Sequence, residues 1–140
     1  MGALFALKAQ GVHDVLVVEP SPSRRAAAER HGARVLDPRA VDVVDEVMAH
    51  TRGRGVDAAV ECAGRPEALD AAICSMAAQA PVVMVALYSG PVAIGASAVR
   101  LAEMALLGAE AYPDGVFERH DVRDARRLKV LVDIPGNPTG

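Results

Sequence analysis

The sequence predicts a doubly wound α/β domain, one parallel sheet between two layers of helices. Three observations predict it. Strand and helix signals alternate along most of the chain, in units of the length that builds parallel sheets. Two runs, Val15–Val18 and Val82–Leu87, are almost wholly apolar, as strands covered on both faces should be. Glu19 ends the first run, and Ser21-Pro22 follows at once as a helix start. A carboxylate at that strand tip can accept hydrogen bonds from both hydroxyls of a nucleotide ribose. The plain alternative is an exposed acid in a strand-to-helix loop.

The elements follow in order. Gly2 to Gln10 reads as a helix stopped by Gly11. Val15–Val18 is the first strand. Ser21 is the expected N-cap of a helix with Pro22 at its first position, small residues Ala26-Ala27-Ala28 inside and Gly32 at its end. Arg34-Val35-Leu36 is a short strand closed by Asp37-Pro38. Val41, Val44, Val47 and Met48 give a helical stripe that Gly53 and Gly55 break. Val56–Val60 is the next strand, running into Glu61-Cys62-Ala63-Gly64. Leu69, Ile73 and Met76 mark one helix face. Val82–Leu87 is a buried strand, with Val92–Ile94 as a short extension. A helix over Ser97–Met104 and a strand-like Ala105–Ala109 complete the pattern. Residues 1–120 thus form the domain. Residues 121–140 are expected to be a divergent, partly disordered tail, charged to Lys129, with one apolar run at Val130-Leu131-Val132.

Composition excludes several functions. At 140 residues the chain suffices for one core, and 51% hydrophobic content is too high for disorder. A net charge of -3 and 3% aromatic residues leave neither a basic footprint nor a stacking surface for nucleic acid. The uncharged stretch between Asp70 and Arg100 is broken by Gln79, Pro81 and Ser89-Gly90-Pro91, which argues against a membrane span. Two cysteines without a secretion signal point to free thiols in a reducing cytoplasm.

Gly2 with its helix, Val17-Val18-Glu19-Pro20-Ser21-Pro22-Ser23-Arg24-Arg25, Gly32-Ala33, Gly55-Val56-Asp57-Ala58-Ala59-Val60-Glu61-Cys62-Ala63-Gly64 and Leu106-Leu107-Gly108-Ala109 occur in a recognisable order and spacing. With them the chain resembles the Rossmann-type cofactor domain of medium-chain, zinc-dependent alcohol dehydrogenases, nearest the polyol branch of butanediol, sorbitol and threonine dehydrogenases. The resemblance runs from Gly2 to about Phe117. It implies that Gly2 is the last glycine of the G-x-G-x-x-G turn, so that the domain lacks its first strand and the other two glycines. It implies that Glu19 binds the adenosine ribose, that Arg24 reaches the same ribose or the adenine edge, and that Ala63 and Arg65 flank the adenine. Backbone groups around Val85 to Leu87 and Ala109 to Ala111 would hold the nicotinamide carboxamide. NAD is the implied cofactor, because an acid at position 19 repels a ribose 2′-phosphate, although Arg24 and Arg25 keep NADP open.

The departures are as informative. The family's catalytic zinc is held by a preceding domain, so neither catalytic residues nor metal ligands are expected here. Cys62 and Cys74 are expected to be buried structural thiols rather than zinc ligands. His13, His31, His50 and His120 read as surface residues, and Tyr88 and Tyr112 as core or rim tyrosines. The leading expectation is therefore part of an NAD-linked alcohol dehydrogenase, weak in NAD binding and inactive alone. One alternative is a non-catalytic interaction module or half of a split enzyme, completed by a catalytic domain in trans or by self-association. Another is an S-adenosylmethionine-binding, methyltransferase-like domain, which also places an acid after its second strand. A further expectation concerns the sheet. With the first strand missing, Val15–Val18 and Val56–Val60 should each face an open central gap.

Overall fold

A computed structural model describes residues 1–109 and 129–133. Ala111, Tyr112 and His120 lie outside the described residues, as does most of the 121–140 segment. The chain runs α1 (Gly2–Ala9), β1 (Asp14–Val18), α2 (Pro22–Arg30), β2 (Arg34–Leu36), α3 (Val43–His50), β3 (Ala58–Glu61), α4 (Pro66–Cys74), β4 (Pro81–Met84), α5 (Ala96–Ala102), β5 (Ala105–Gly108) and β6 (Lys129–Asp133).

All six strands lie in one parallel sheet of order β2-β1-β6-β3-β4-β5. This is the doubly wound arrangement that the alternation predicts. The central slot differs from expectation. No gap separates β1 from β3, because β6 fills it and pairs with both. Leu131 stands in register with Leu16 on one side and Ala59 on the other. The physical reason lies in the apolar run at 130–132, which sequence reading assigned to a tail. An extended apolar run satisfies the open backbone groups of two strand edges at once.

Strand alternation sorts the core into two layers. Leu16, Val18, Ala59, Val82 and Leu131 join Val47 of α3 and Leu69 and Ile73 of α4 in one apolar cluster. Val15, Val17, Ala58 and Val60 join Leu4 and Leu7 of α1 and Ala28 of α2 in the other. Helices therefore cover both faces.

Several local expectations need adjustment. β3 starts two residues later than the apolar pattern suggests, because Val56 instead forms an isolated bridge with Met76. Residues 92–94 form no strand. Ser21 occupies the N-cap of α2, but its hydroxyl makes no capping bond. α3 is capped by Asp42, whose carboxylate accepts from the Asp45 amide at 3.0 Å. Cys62 is only half-buried and Cys74 is exposed, so neither is the buried thiol expected. Among the described residues, no helix is long and apolar enough to cross a membrane.

Candidate functional site

Ligands of open parallel sheets bind at the carboxyl ends of the strands, near the point where strand order reverses. Here that edge carries two carboxylates, Glu19 just past β1 and Glu61 at the end of β3, both with no exposed surface.

The turn from β1 into α2 wraps around Glu19. Its Oε1 accepts from the Ser21 amide at 2.7 Å. Its Oε2 lies 3.1 Å from Arg24 Nε, close enough for an ion pair. The two atoms are misaligned as donor and acceptor, however, and both are buried without a hydrogen bond. Glu19 thus holds one structural bond and one ion-paired oxygen that lacks a hydrogen bond, beneath an arginine side chain that is one-third exposed. Arg25 is fully engaged. It donates to the carbonyls of Glu19 and Pro20, each at 2.8 Å, and pairs with Asp37 at 2.9 Å. It ties this turn to the end of β2. The sequence alone gives Arg25 no more than a place beside Arg24 that leaves NADP open, and this role is missed because it depends on Asp37 being adjacent in space.

Glu61 organises the neighbouring turn. Its Oε1 accepts from the amides of Ala63 and Gly64, at 2.7 and 2.8 Å. Its Oε2 accepts from the Tyr88 hydroxyl. Its backbone carbonyl accepts from the amides of Val85 at 2.9 Å and Ala86 at 3.3 Å. One residue thereby fixes the β3–α4 turn and the loop after β4. The only sequence signal was the acid itself at a strand end; its partner Tyr88 lies 27 residues away. Gly64 has φ of +68°, and a Cβ there would meet the Leu87 carbonyl oxygen at 2.7 Å. The two loops touch at this glycine.

The sequence-derived site residues are partly brought together. Glu19 and Arg24 are in contact. Ala63 and Val85 share Glu61. Arg65 is exposed and pairs only loosely with Glu67, at 3.6 Å. Leu87 is 95% exposed, so its side chain is free of the core. The Ala109 amide donates to the Met84 carbonyl at 3.0 Å, extending β5 along β4. Gly2 opens α1, whose Leu4 and Leu7 are buried.

The opposite edge of the sheet holds a concavity of about 520 Å³ lined by His50, Thr51, Arg52 and Arg54. Its charges are largely committed. His50 contacts Asp14 at 2.9 Å. Arg54 pairs with Asp57, and that hydrogen bond holds its guanidinium above its ordinary pKa. His31 stacks edge-on against Phe5, and the carbonyl of exposed His13 accepts from Lys8 Nζ at 2.9 Å. Among the described residues, no three His, Cys, Asp or Glu side chains converge in a way that could hold a metal ion.

The profile of a family described as zinc-binding dehydrogenase matches residues 1–129. The chain is 36% identical over 116 residues to the (R,R)-butanediol dehydrogenase of Neisseria gonorrhoeae, covering 80% of this chain and 32% of that protein. The crystal structure of 2R,3R-butanediol dehydrogenase from Bacillus subtilis superposes with a TM-score of 0.75 at 34% identity, over 86% of this chain and 35% of that one. A zinc-binding dehydrogenase from Sinorhizobium meliloti 1021, solved bound to NADP, gives 0.69 at 28% identity, over 84% and 36%. The chain spans about a third of the length of these relatives.

Proposed function

The chain belongs to the zinc-binding dehydrogenase family, and on that premise we propose that it binds the adenosine half of NAD at Glu19 without oxidising an alcohol by itself. The buried Oε2 of Glu19 carries the reading. A buried acceptor with no hydrogen bond is costly, and a ribose hydroxyl would satisfy it once Arg24 swings outward. The ribose would then lie against the β1–α2 turn, with the adenine toward Ala63 and Arg65. Backbone groups at Val85, Leu87, Ala109 and Ala111 would meet the carboxamide. The amides of Val85 and Ala86 already serve Glu61, so the contact there falls to carbonyls. When bound, nicotinamide would supply a hydride acceptor. NAD is favoured over NADP because Glu19 repels a 2′-phosphate and Arg25 is committed to Asp37.

Zinc does not fit the residues described. Among the described residues no three His, Cys, Asp or Glu side chains converge as ligands, so no step is assigned to a metal. A second reading has a specific observation behind it. α5 buries no residue, Leu101 is 72% exposed and Leu87 more so. That surface suits a partner domain, which would make this chain the cofactor half of a two-part enzyme.

Titration with NAD, NADP and S-adenosylmethionine tests the proposal. NAD should bind in preference to the other two. Glu19→Ala should weaken it roughly ten- to hundredfold, the loss expected when a hydrogen bond to a charged group worth about 1.5–3 kcal/mol disappears. Unchanged affinity would remove Glu19 from the site. Zinc-dependent NADH production by the chain alone would overturn the claim that it does not turn over.

A further inference from the structure

We propose that Tyr88 is a positioning residue for the nicotinamide half of the crevice, acting through Glu61 and leaving the adenosine half untouched. The ligand part of this inference rests on the NAD reading above; the hold on the loop does not.

One residue grips the loop after β4 at two points. Next to the strand, the backbone carbonyl of Glu61 accepts from the amides of Val85 at 2.9 Å and Ala86 at 3.3 Å. Further along, Glu61 Oε2 accepts from the Tyr88 hydroxyl. Leu87 lies between the two holds. Its side chain is almost fully exposed and so gives the loop no anchor of its own. Its carbonyl abuts the neighbouring turn, where a Cβ on Gly64 would meet that oxygen at 2.7 Å and the Ala86 Cβ at 3.3 Å. The direction of the Leu87 carbonyl is thus set by Gly64 on one side and by the anchoring of Tyr88, the next residue, on the other. The amides of Val85 and Ala86 are spent on Glu61, so a carboxamide there depends on loop carbonyls pointing the right way.

The carboxylate of Glu61 divides its work between its oxygens. Oε1 takes the amides of Ala63 and Gly64, and Oε2 takes Tyr88. Removing the Tyr88 hydroxyl therefore leaves the β3–α4 turn its own bonds. The Glu19 turn is held by the Ser21 amide, by Arg25 and by Asp37, all on its own side of the sheet. The Tyr88 ring packs against the apolar cluster that includes Val47 and Leu69. Phenylalanine keeps that packing and loses only the hydroxyl. The loop would then retain its hold beside β4 and lose the one beyond Leu87. A carbonyl free to turn points at the ligand part of the time, and apparent affinity falls by that fraction.

Titration of the full chain with NAD and with ADP-ribose, which lacks nicotinamide, tests this alongside hydrogen–deuterium exchange. The parent should bind NAD more tightly than ADP-ribose. Tyr88→Phe should weaken NAD about tenfold and ADP-ribose by less than about twofold. Exchange should speed at 85–88 and stay at the parent's rate at 63–64. Glu19→Ala should weaken both ligands alike. Val47→Ala removes buried apolar surface in α3; it should lower the melting temperature and leave both affinities as they are, which separates positioning from mere loss of stability. If Tyr88→Phe does not fold, the parent decides: NAD should slow exchange at 85–88 and ADP-ribose should not, and slowing by both alike would overturn the proposal. Equal loss of both ligands in Tyr88→Phe, or loss of neither, would overturn the positioning role and leave the NAD reading standing. So would a parent that binds ADP-ribose as tightly as NAD. Unchanged exchange at 85–88 in Tyr88→Phe would overturn the hold itself, whatever binds. A parent that binds neither ligand would overturn both readings.

Discussion

Truncating Glu61 should come close to unfolding the domain. Its carboxylate is fully buried and accepts three hydrogen bonds, from the amides of Ala63 and Gly64 and from the Tyr88 hydroxyl. Glu61→Ala strands all three donors. Each buried donor without a partner costs about 1–3 kcal/mol. Water entering the vacated space would recover part of this, because Ala63 and Gly64 are only half-buried. A net loss of about 3–6 kcal/mol follows, against a total stability of about 5–15 kcal/mol for a domain. Glu61→Gln keeps one carbonyl acceptor of the same shape and should cost about 1–2 kcal/mol. Tyr88→Phe removes one bond to a charged group and should cost about 1.5–3 kcal/mol. Urea unfolding followed by circular dichroism measures all three. The order should be Ala most damaging, with Gln and Phe milder. A Glu61→Ala protein within about 1 kcal/mol of the parent would refute the accounting. So would a Tyr88→Phe protein as unstable as Glu61→Ala, since that would place the tyrosine rather than the acid at the centre.

Two further substitutions follow from the same two turns. Gly64→Ala combines a left-handed backbone with a Cβ 2.7 Å from the Leu87 carbonyl oxygen; it should lower stability by more than about 1 kcal/mol and weaken NAD, both read from thermal unfolding with and without ligand. Arg25→Ala removes two carbonyl contacts and the Asp37 pair. It should cost about 2–3 kcal/mol and bring no gain in NADP affinity; a gain would mean that Arg25 had been a phosphate ligand held in reserve.

The fold was legible because it is written in periodicity. Val15 to Val18 alternate between the two core clusters, as does Leu16 against Val17, so a continuous apolar run correctly read as a strand covered on both sides. Glu19 and Arg24 could be named together because the resemblance assigns both to one ribose, and the structure has them in contact. Glu61 with Tyr88, and Arg25 with Asp37, could not be, because those contacts join separate elements and leave no local spacing. Exposure was illegible for a related reason. Cys74 looked like a core thiol in a helix with apolar neighbours, but it ends α4 on the outward side. The largest miss was β6. An apolar triplet in a charged, proline-rich segment carries no statement of where it pairs, and parallel pairing has no hairpin turn to announce it.

Why the sheet admits a sixth strand rather than closing on itself follows from the dimensions of its layers. Two strands span about 9.6 Å and one helix about 10 Å, so each covering helix sits over roughly two strands. Deleting the central strand would draw β1 toward β3 by about 5 Å. The helices could not follow, because packed helix axes stay about 8–10 Å apart. α3 and α4 already touch on one face, and α1 bridges β1 and β3 on the other. The helices therefore hold the slot open at one strand's width. Whatever enters must be parallel, must bond on both edges and must fill the space beside Ala59, the small residue in register with Leu131. Those demands fix geometry tightly and sequence loosely, since any short branched run with a large residue at its centre meets them. A short apolar segment can therefore occupy the slot without any local motif that marks it for the purpose.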